Sequence, residues 1–370
     1  MENKKLQIGI IGCGGIANTK HLPSLKANAE LCDIIGFCDI IEDRAINAAK
    51  EYGTGSALVY TDYKELLANE AIDVVHVLTP NVSHCEIVVD AFAAGKHVMC
   101  EKPMASSTKD AKRMIDAWKS SGKKFTIGYQ NRFRPEVQLL YKACKNNELG
   151  DIYYGEARAI RRRGVPTWGV FPNKALQGGG PLIDIGTHSL DMTLWMMDNY
   201  KPVSVTGSVF YKLGGLTQAT EGNIFGPWDP ETYEVEDSAF GFIKMENGAT
   251  ISIQAAWAIN MLESREASTT LCGTKAGAEI HSGLSHPKDE LIINRGHNGM
   301  LTNETLNTMG NVAYFGGNEN EPGVVEAKQW LTAIIEDGEP LVKPEQAFVV
   351  TQILEAIYQS SMDGKEILFS

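Results

Sequence analysis

Three ionisable residues stand close together in the otherwise apolar run GPLIDIGTHSLDMTLWM at 180–196: Asp184, His188 and Asp191. On a helix, residues i and i+4 share a face and i+7 stays near it, so the three form one polar stripe. An imidazole beside a carboxylate suits general-base chemistry. The ring takes up a proton near neutral pH, and the carboxylate orients it. Two other uses of the same residues stay open. A buried histidine and a carboxylate often do no more than satisfy each other, and a histidine with two carboxylates can ligate a metal. No H-x-x-x-H pair and no neighbouring cysteine accompanies them, so no metal is expected.

A second constellation opens the chain. LQIGIIGCGGIANTKHLPSL begins with a short apolar run suited to a buried parallel strand, then gives G-x-G-x-x-A at 12–17. Gly12 permits a tight turn, Gly14 lets a pyrophosphate approach the backbone, and Ala17 lets a helix sit close to the strand. Backbone N–H groups at the start of that helix, expected over 16–29, then face the phosphates. A second apolar strand, 31–38, ends in Asp39. A carboxylate there accepts hydrogen bonds from the adenosine ribose hydroxyls and repels a 2′-phosphate, which points to NAD over NADP. Capping of the following helix is the plainer role for Asp39.

These groups need a scaffold, and the next hundred residues supply one. Short apolar strands alternate with helical segments through residue 130, the pattern of a doubly wound parallel sheet. Ligands of such sheets lie beyond the carboxyl ends of the strands. Those ends carry Thr79-Pro80-Asn81, Glu101-Lys102-Pro103 and Gln130-Asn131-Arg132. From residue 151 the strands lengthen and glycine turns join them, with an Asn-Gly hairpin signal in MENGATIS. The expected architecture is α/β: a Rossmann domain at 1–130, then an α+β domain at 131–370 with a large open, mainly antiparallel sheet and the helix 180–197 beside it. Two amphipathic helices near the end are expected to pack back on the first domain. The stretch 286–311 shows no pattern and is read as irregular.

Composition narrows the function. The chain has 370 residues, 43% hydrophobic and 22% charged, with a net charge of -12. An acidic body repels phosphate backbones and anionic bilayers, so nucleic acid and membrane are poor partners. Seven cysteines, at 13, 32, 38, 85, 100, 144 and 272, form no C-x-x-C pair. This fits a reduced, cytoplasmic setting. No signal-peptide pattern and no apolar run of ~18 residues is seen.

EKP at 101–103, GYQNRF at 128–133 and GGGPLIDIGTHSLDMTLWM at 178–196 together resemble the glucose–fructose oxidoreductase / inositol dehydrogenase (Gfo/Idh/MocA) family. With the glycine turn at 12–17 and TPNVSH at 79–84, the resemblance covers essentially the whole chain. It implies an NAD-dependent oxidoreductase that oxidises a secondary hydroxyl of a sugar, glycoside or cyclitol to a ketone. It also implies that Lys102, Asp184 and His188 line the reaction site, with Pro103 in the cis form aiming Lys102 inward. The expected cofactor contacts are Gly12, Gly14, Gly15, Ile16, Asp39, Thr79, Asn81, His84, Glu101, Lys102 and Gln130. Asn131, Arg132, Arg163 and Trp168 are the expected substrate contacts, although RRR at 161–163 also reads as a solvated strand end and Trp168 as a packed loop aromatic. RRRGVPTWG followed by QGGGPLIDIGTHSLD is similar to members that oxidise the 3-hydroxyl of a glycoside. Two alternatives remain: an NAD-dependent glycosidase or lyase working through a transient keto sugar, and a non-catalytic dinucleotide sensor. An open sheet face needs covering, so a homo-oligomer is expected.

Overall fold

The computed structural model describes residues 5–282, 290–306 and 321–369. Two compact units divide the chain: Met1–Phe133 with Phe315–Phe348, and Arg134–Tyr314 with Val349–Ser370.

The first unit is built on strands β1 (Leu6–Ile11), β2 (Cys32–Cys38), β3 (Leu58–Tyr60), β4 (Val74–Val77), β5 (His97–Cys100) and β6 (Phe125–Ile127), in the order β3-β2-β1-β4-β5-β6. Every neighbouring pair is parallel. Ile8, Ile10, Val74 and Val75 are fully buried. Such unbroken apolar runs are what a sheet covered by helices on both faces requires. The helix Pro322–Ile335 joins the same core through Ala327, Trp330 and Leu331. The strand order turns back between β1 and β4. That reversal is the point at which a doubly wound sheet holds its ligand, at the carboxyl ends of the strands.

The expected helix over 16–29 is realised in two parts, a wider π turn at Ala17–His21 and an α-helix at Leu22–Ala27. Thr19 Oγ1 donates to the Gly15 carbonyl at 2.9 Å, and Asn18 Nδ2 donates to the Gly14 carbonyl at 2.8 Å. Side chains that occupy carbonyls one turn back loosen the α pattern there.

The second unit carries β7 (Ile152–Ile160), β8 (Pro202–Phe210), β9 (Ser238–Met245), β10 (Thr250–Ala256), β11 (Arg265–Gly273), β12 (Ala276–His281), β13 (Glu290–His297), β14 (Met300–Leu306) and β15 (Ile367–Leu368). Among the described residues they form one nine-stranded sheet, β14-β13-β12-β11-β7-β10-β9-β8-β15. Only β7 and β10 run parallel within it. The Asn-Gly signal marks the turn between β9 and β10, where Gly248 takes φ +87°. The helix Thr187–Met197 packs against β7 and β11. Its Trp195 stacks on Tyr141 of the helix Pro135–Lys145 at 3.8 Å between ring centroids.

One expectation is overturned here. Residues 290–306 are not irregular but form the β13–β14 hairpin, closed by Asn298 and Gly299 at φ +50° and +80°. Two residues at positive φ between paired strands make a type I′ turn, for which Asn-Gly is the favoured sequence. The flanking strands are too polar to show the usual alternation. Residues 286–289 and 307–311 of that stretch lie outside the described ones.

Candidate functional site

In the first unit the glycine loop is shaped as a phosphate cradle requires. Gly12 sits at φ +96°, and a Cβ on it would lie 2.7 Å from the Leu78 carbonyl oxygen at the end of β4. Only glycine fits that turn. A Cβ on Gly14 or Gly15 would meet nothing within 4 Å, so the loop faces open space. Ile16 is half-buried beside it. The backbone here can hold a pyrophosphate without rearrangement.

Asp39 lies at the end of β2, nearly buried. Its Oδ2 accepts from Cys13 N–H at 2.9 Å and its Oδ1 from Ile41 N–H at 2.9 Å. The carboxylate therefore ties the glycine loop to the strand end. Each oxygen can accept again, so the ribose role and the local role are compatible. Two neighbours were not foreseen. Ile40 is 90% and Ile41 45% exposed, which gives an apolar surface on which a flat base can rest. Apolar residues directly after Asp39 are the signal. Asp39→Ala is expected to weaken NAD binding by roughly 10- to 100-fold, the worth of hydrogen bonds to a charged group, and to narrow the preference over NADP. Titrations with both dinucleotides test it.

The strand-end residues divide into two kinds. Thr79 and Asn81 are half-buried, and Thr79 Oγ1 accepts from Ser83 Oγ at 2.7 Å. His84 is fully buried, with its ring nitrogens 3.0 Å from the Pro103 carbonyl oxygen and 2.9 Å from that of Thr79. It braces the loop after β4 against the loop after β5. The Lys102–Pro103 bond is cis and Lys102 is half-buried. Glu101 is buried, and one of its oxygens accepts the Lys102 N–H at 2.9 Å. Its other oxygen meets Lys20 Nζ and His21 Nε2, each at 2.8 Å. Gln130 Oε1 accepts from the same Lys20 at 2.9 Å. Burial favours the protonated form of Glu101, but Lys20 and then His21 outweigh it and hold the carboxyl well below its ordinary range. Asn131 is partly exposed. Arg132 is fully buried, and its guanidinium donates to Gln346 Oε1 at 2.6 Å and the Leu341 carbonyl at 3.4 Å. That placement gives Arg132 a bracing part within its own unit.

In the second unit the polar stripe has a defined setting. The helix begins with a π turn at Leu182–Gly186 and continues as Thr187–Met197. From 179 to 196 every residue is buried except Asp184 and His188, which are half-open. Asp191, 1% exposed, belongs to the core. Asp184 Oδ2 accepts from the indole N–H of the fully buried Trp257 at 3.2 Å. The start of the helix is held by Glu236, whose oxygens accept from Gly180 N–H at 2.8 Å, Leu182 N–H at 3.1 Å and Tyr358 Oη–H at 2.7 Å. A Cβ on Gly180 would come within 2.4 Å of the Glu236 carbonyl oxygen. The glycine run before the helix thus exists to let Glu236 reach the backbone. Burial raises the Glu236 carboxyl despite these donors.

Arg163 donates to the Ile259 carbonyl at 3.0 Å and Asn260 Oδ1 at 2.7 Å, which ties down a loop. Arg161, not singled out from sequence, is the inward member of RRR. It pairs through two nitrogens with Glu266 and lies 5.6 Å over the Phe225 ring. Trp168 is half exposed, edge-on to Phe225 at 4.7 Å and Phe171 at 6.0 Å, and Phe171 in turn meets Trp257 at 6.2 Å. Among the described residues no three His, Cys, Asp or Glu side chains group as metal ligands, and no helix is long and apolar enough to cross a membrane.

Residues 6–129 match the model of an oxidoreductase family with an NAD-binding Rossmann fold, and residues 142–368 match that family's C-terminal alpha/beta domain. D-glucoside 3-dehydrogenase of Escherichia coli (strain K12) is 35% identical over 369 residues, which cover 99% of this chain and 98% of that protein. Glucose-6-phosphate 3-dehydrogenase of Bacillus subtilis is 34% identical over 200 residues, 52% of this chain and 54% of that protein. Levoglucosan dehydrogenase, solved in complex with NADH, shares the fold with a TM-score of 0.83 at 22% identity, over 99% of this chain and 100% of that one. The chain belongs to the Gfo/Idh/MocA oxidoreductase family and is an NAD-dependent dehydrogenase.

Proposed function

We propose that this dehydrogenase oxidises a secondary hydroxyl of a glycoside, at C3 of the sugar, to a ketone. The observation that carries the reading is the pair Asp184 and His188, the two half-open positions of a helix otherwise buried from 179 to 196. The full-length similarity to a D-glucoside 3-dehydrogenase supports the choice of substrate. When bound, NAD supplies the acceptor for the carbinol hydride. His188 removes the hydroxyl proton as general base. Asp184, steadied by Trp257, orients the imidazole. Lys102 offers positive charge to the oxygen as it becomes anionic. Among the residues assigned to cofactor and substrate, the glycine loop with Ile16 and Asp39 holds the dinucleotide, while Thr79, Asn81, Glu101 and Gln130 shape the nicotinamide end. Trp168 is the platform for the aglycone, and Asn131 is left to bind substrate hydroxyls.

A panel of glycosides, free aldoses and inositols, followed by the absorbance of reduced cofactor, tests this. Glycosides are expected to lead free sugars in kcat/KM by ~10-fold or more, the scale of one pocket contact. Trp168→Ala is expected to lower kcat/KM for aryl glycosides by ~10-fold and to leave methyl glycosides unchanged, since stacking contributes about 0.5–1.5 kcal/mol beyond buried area. A lead for inositols contradicts the reading. Aglycone release without net reduced cofactor points to a glycosidase or lyase, and binding of NAD without turnover points to a sensor.

We also propose a cytoplasmic, self-associating enzyme. Its seven cysteines are all free, and Tyr153, Phe210 and Phe242 stand exposed on β7, β8 and β9. Sedimentation in solution tests the association.

A further inference from the structure

We propose that Glu326 is a positioning residue for the turn that carries Lys102, acting through Lys20 and Glu101. The inference rests on the role assigned to Lys102. Glu326 belongs to the helix Pro322–Ile335, far downstream of that turn. Its Oε2 accepts from Lys20 Nζ at 2.8 Å. The same ammonium donates to Glu101 Oε1 at 2.8 Å and Gln130 Oε1 at 2.9 Å. An ammonium has three donors, and these three acceptors use them all. Glu101 Oε2 then accepts the Lys102 main-chain N–H at 2.9 Å. An unbroken set of contacts therefore runs from the late helix to the peptide of residue 102. The side chains of Lys20, Glu101 and Glu326 are 10%, 6% and 4% exposed, so water does not screen them.

The protons follow from the partners. Glu101 is an anion, so His21 donates to it from Nε2 at 2.8 Å. The His21 Nδ1 lone pair then accepts from His76 Nδ1–H at 3.1 Å. Both rings are neutral. Burial first, then Lys20, lowers the His21 pKa, and burial, then His21, lowers that of His76. The two carboxylates on Lys20 differ. Glu101 keeps its charge, whereas burial, opposed by Lys20, raises Glu326 from 4.5 to about 7. Among the described residues Glu326 Oε1 has no hydrogen-bond partner. The turn that carries Arg132 packs against the same helix, and Arg132 Nη1 donates to the Leu341 carbonyl and Gln346 Oε1. Within the cluster the charge that changes near neutrality is thus that of Glu326, and it decides how Lys20 is shared. A buried carboxyl with an unpaired oxygen is a costly way to fill a core that leucine would fill well. It is accounted for if the geometry it imposes is used.

The test compares Glu326→Leu, Glu326→Gln and Lys102→Met, alone and combined, in the full chain. Glu326→Leu is expected to lower kcat by ~10- to 100-fold, the scale of a misplaced catalytic group, with NAD affinity unchanged. Glu326→Gln keeps an oxygen for Lys20 and is expected to restore most of the rate. Combined with Lys102→Met, Glu326→Leu is expected to add no further loss. A carboxyl raised in the folded state contributes stability at low pH that is lost as pH rises from 4.5 through about 7. Glutamine does not titrate, so the melting temperature of Glu326→Gln is expected to gain on wild type across that window. Its kcat–pH profile is expected to lack one ionisation near 7. A lower melting temperature with unchanged kcat in Glu326→Leu, or losses that add in the Lys102→Met background, overturns the proposal. If Glu326→Leu does not fold, a Glu326→Gln pH profile superposing on wild type overturns it. An unchanged kcat in Lys102→Met alone removes the Lys102 reading, and this inference with it.

Discussion

His188→Ala is expected to lower kcat by ~10²–10⁴-fold, the range that a positioned general base contributes. NAD affinity is expected to hold, because the glycine loop and Asp39 belong to the other unit. The fold is expected to survive. His188 is half-open in a helix whose other residues, Asp184 apart, are buried from 179 to 196, and alanine is the best helix former. Removing a half-open side chain leaves no core cavity. The contrast with a purely packed histidine is sharp. Loss of a satisfied core imidazole moves the melting temperature and leaves kcat alone. Steady-state kinetics, dinucleotide titration and thermal unfolding on one preparation separate the two, and added imidazole is expected to recover part of the rate.

Lys102→Met is expected to slow turnover by ~10²–10³-fold, comparable to removing one donor that meets a developing oxyanion. Methionine keeps the apolar stem and loses the charge. The turn itself should persist, since Glu101 accepts the main-chain N–H of residue 102, which the substitution retains. The His84 ring, set between the Pro103 and Thr79 carbonyls, holds the same loop independently. A rate loss confined to the chemical step, with melting temperature and NAD affinity preserved, is the expected pattern. A loss of NAD affinity alone would instead make Lys102 a cofactor ligand.

Local pattern carried much of this architecture into the sequence. The apolar run before Gly12 reads as a buried strand because a parallel strand covered on both faces needs one. Gly12 reads as a turn because its φ is closed to other residues. The stripe of Asp184, His188 and Asp191 reads as a chemical site because ionisable groups at i, i+4 and i+7 interrupt an apolar run that also resembles a family motif. Long-range partners carry no such spacing. Trp257, which holds Asp184, and Glu236 with Tyr358, which hold the helix start, come from distant segments. Lys20 with His21, His76 and Glu326 gather around Glu101 from three different stretches of chain. Arg132 and Arg163 read as substrate contacts through the family motifs, and spacing gave no sign of their bonds to Gln346 and Asn260. The β13–β14 hairpin announced itself only by Asn298-Gly299, since its strands are too polar to alternate. The π turns at Ala17–His21 and Leu182–Gly186 leave no periodic signature, and side-chain bonds to nearby carbonyls account for the first.

The most direct test of the central claim uses a glycoside carrying deuterium at C3 of the sugar, incubated with enzyme and NAD. The account predicts deuterium in the reduced cofactor, a 3-keto glycoside as the other product, and loss of both in His188→Ala. Deuterium retained in the sugar, or released to water while the cofactor is reduced from another carbon, would contradict it.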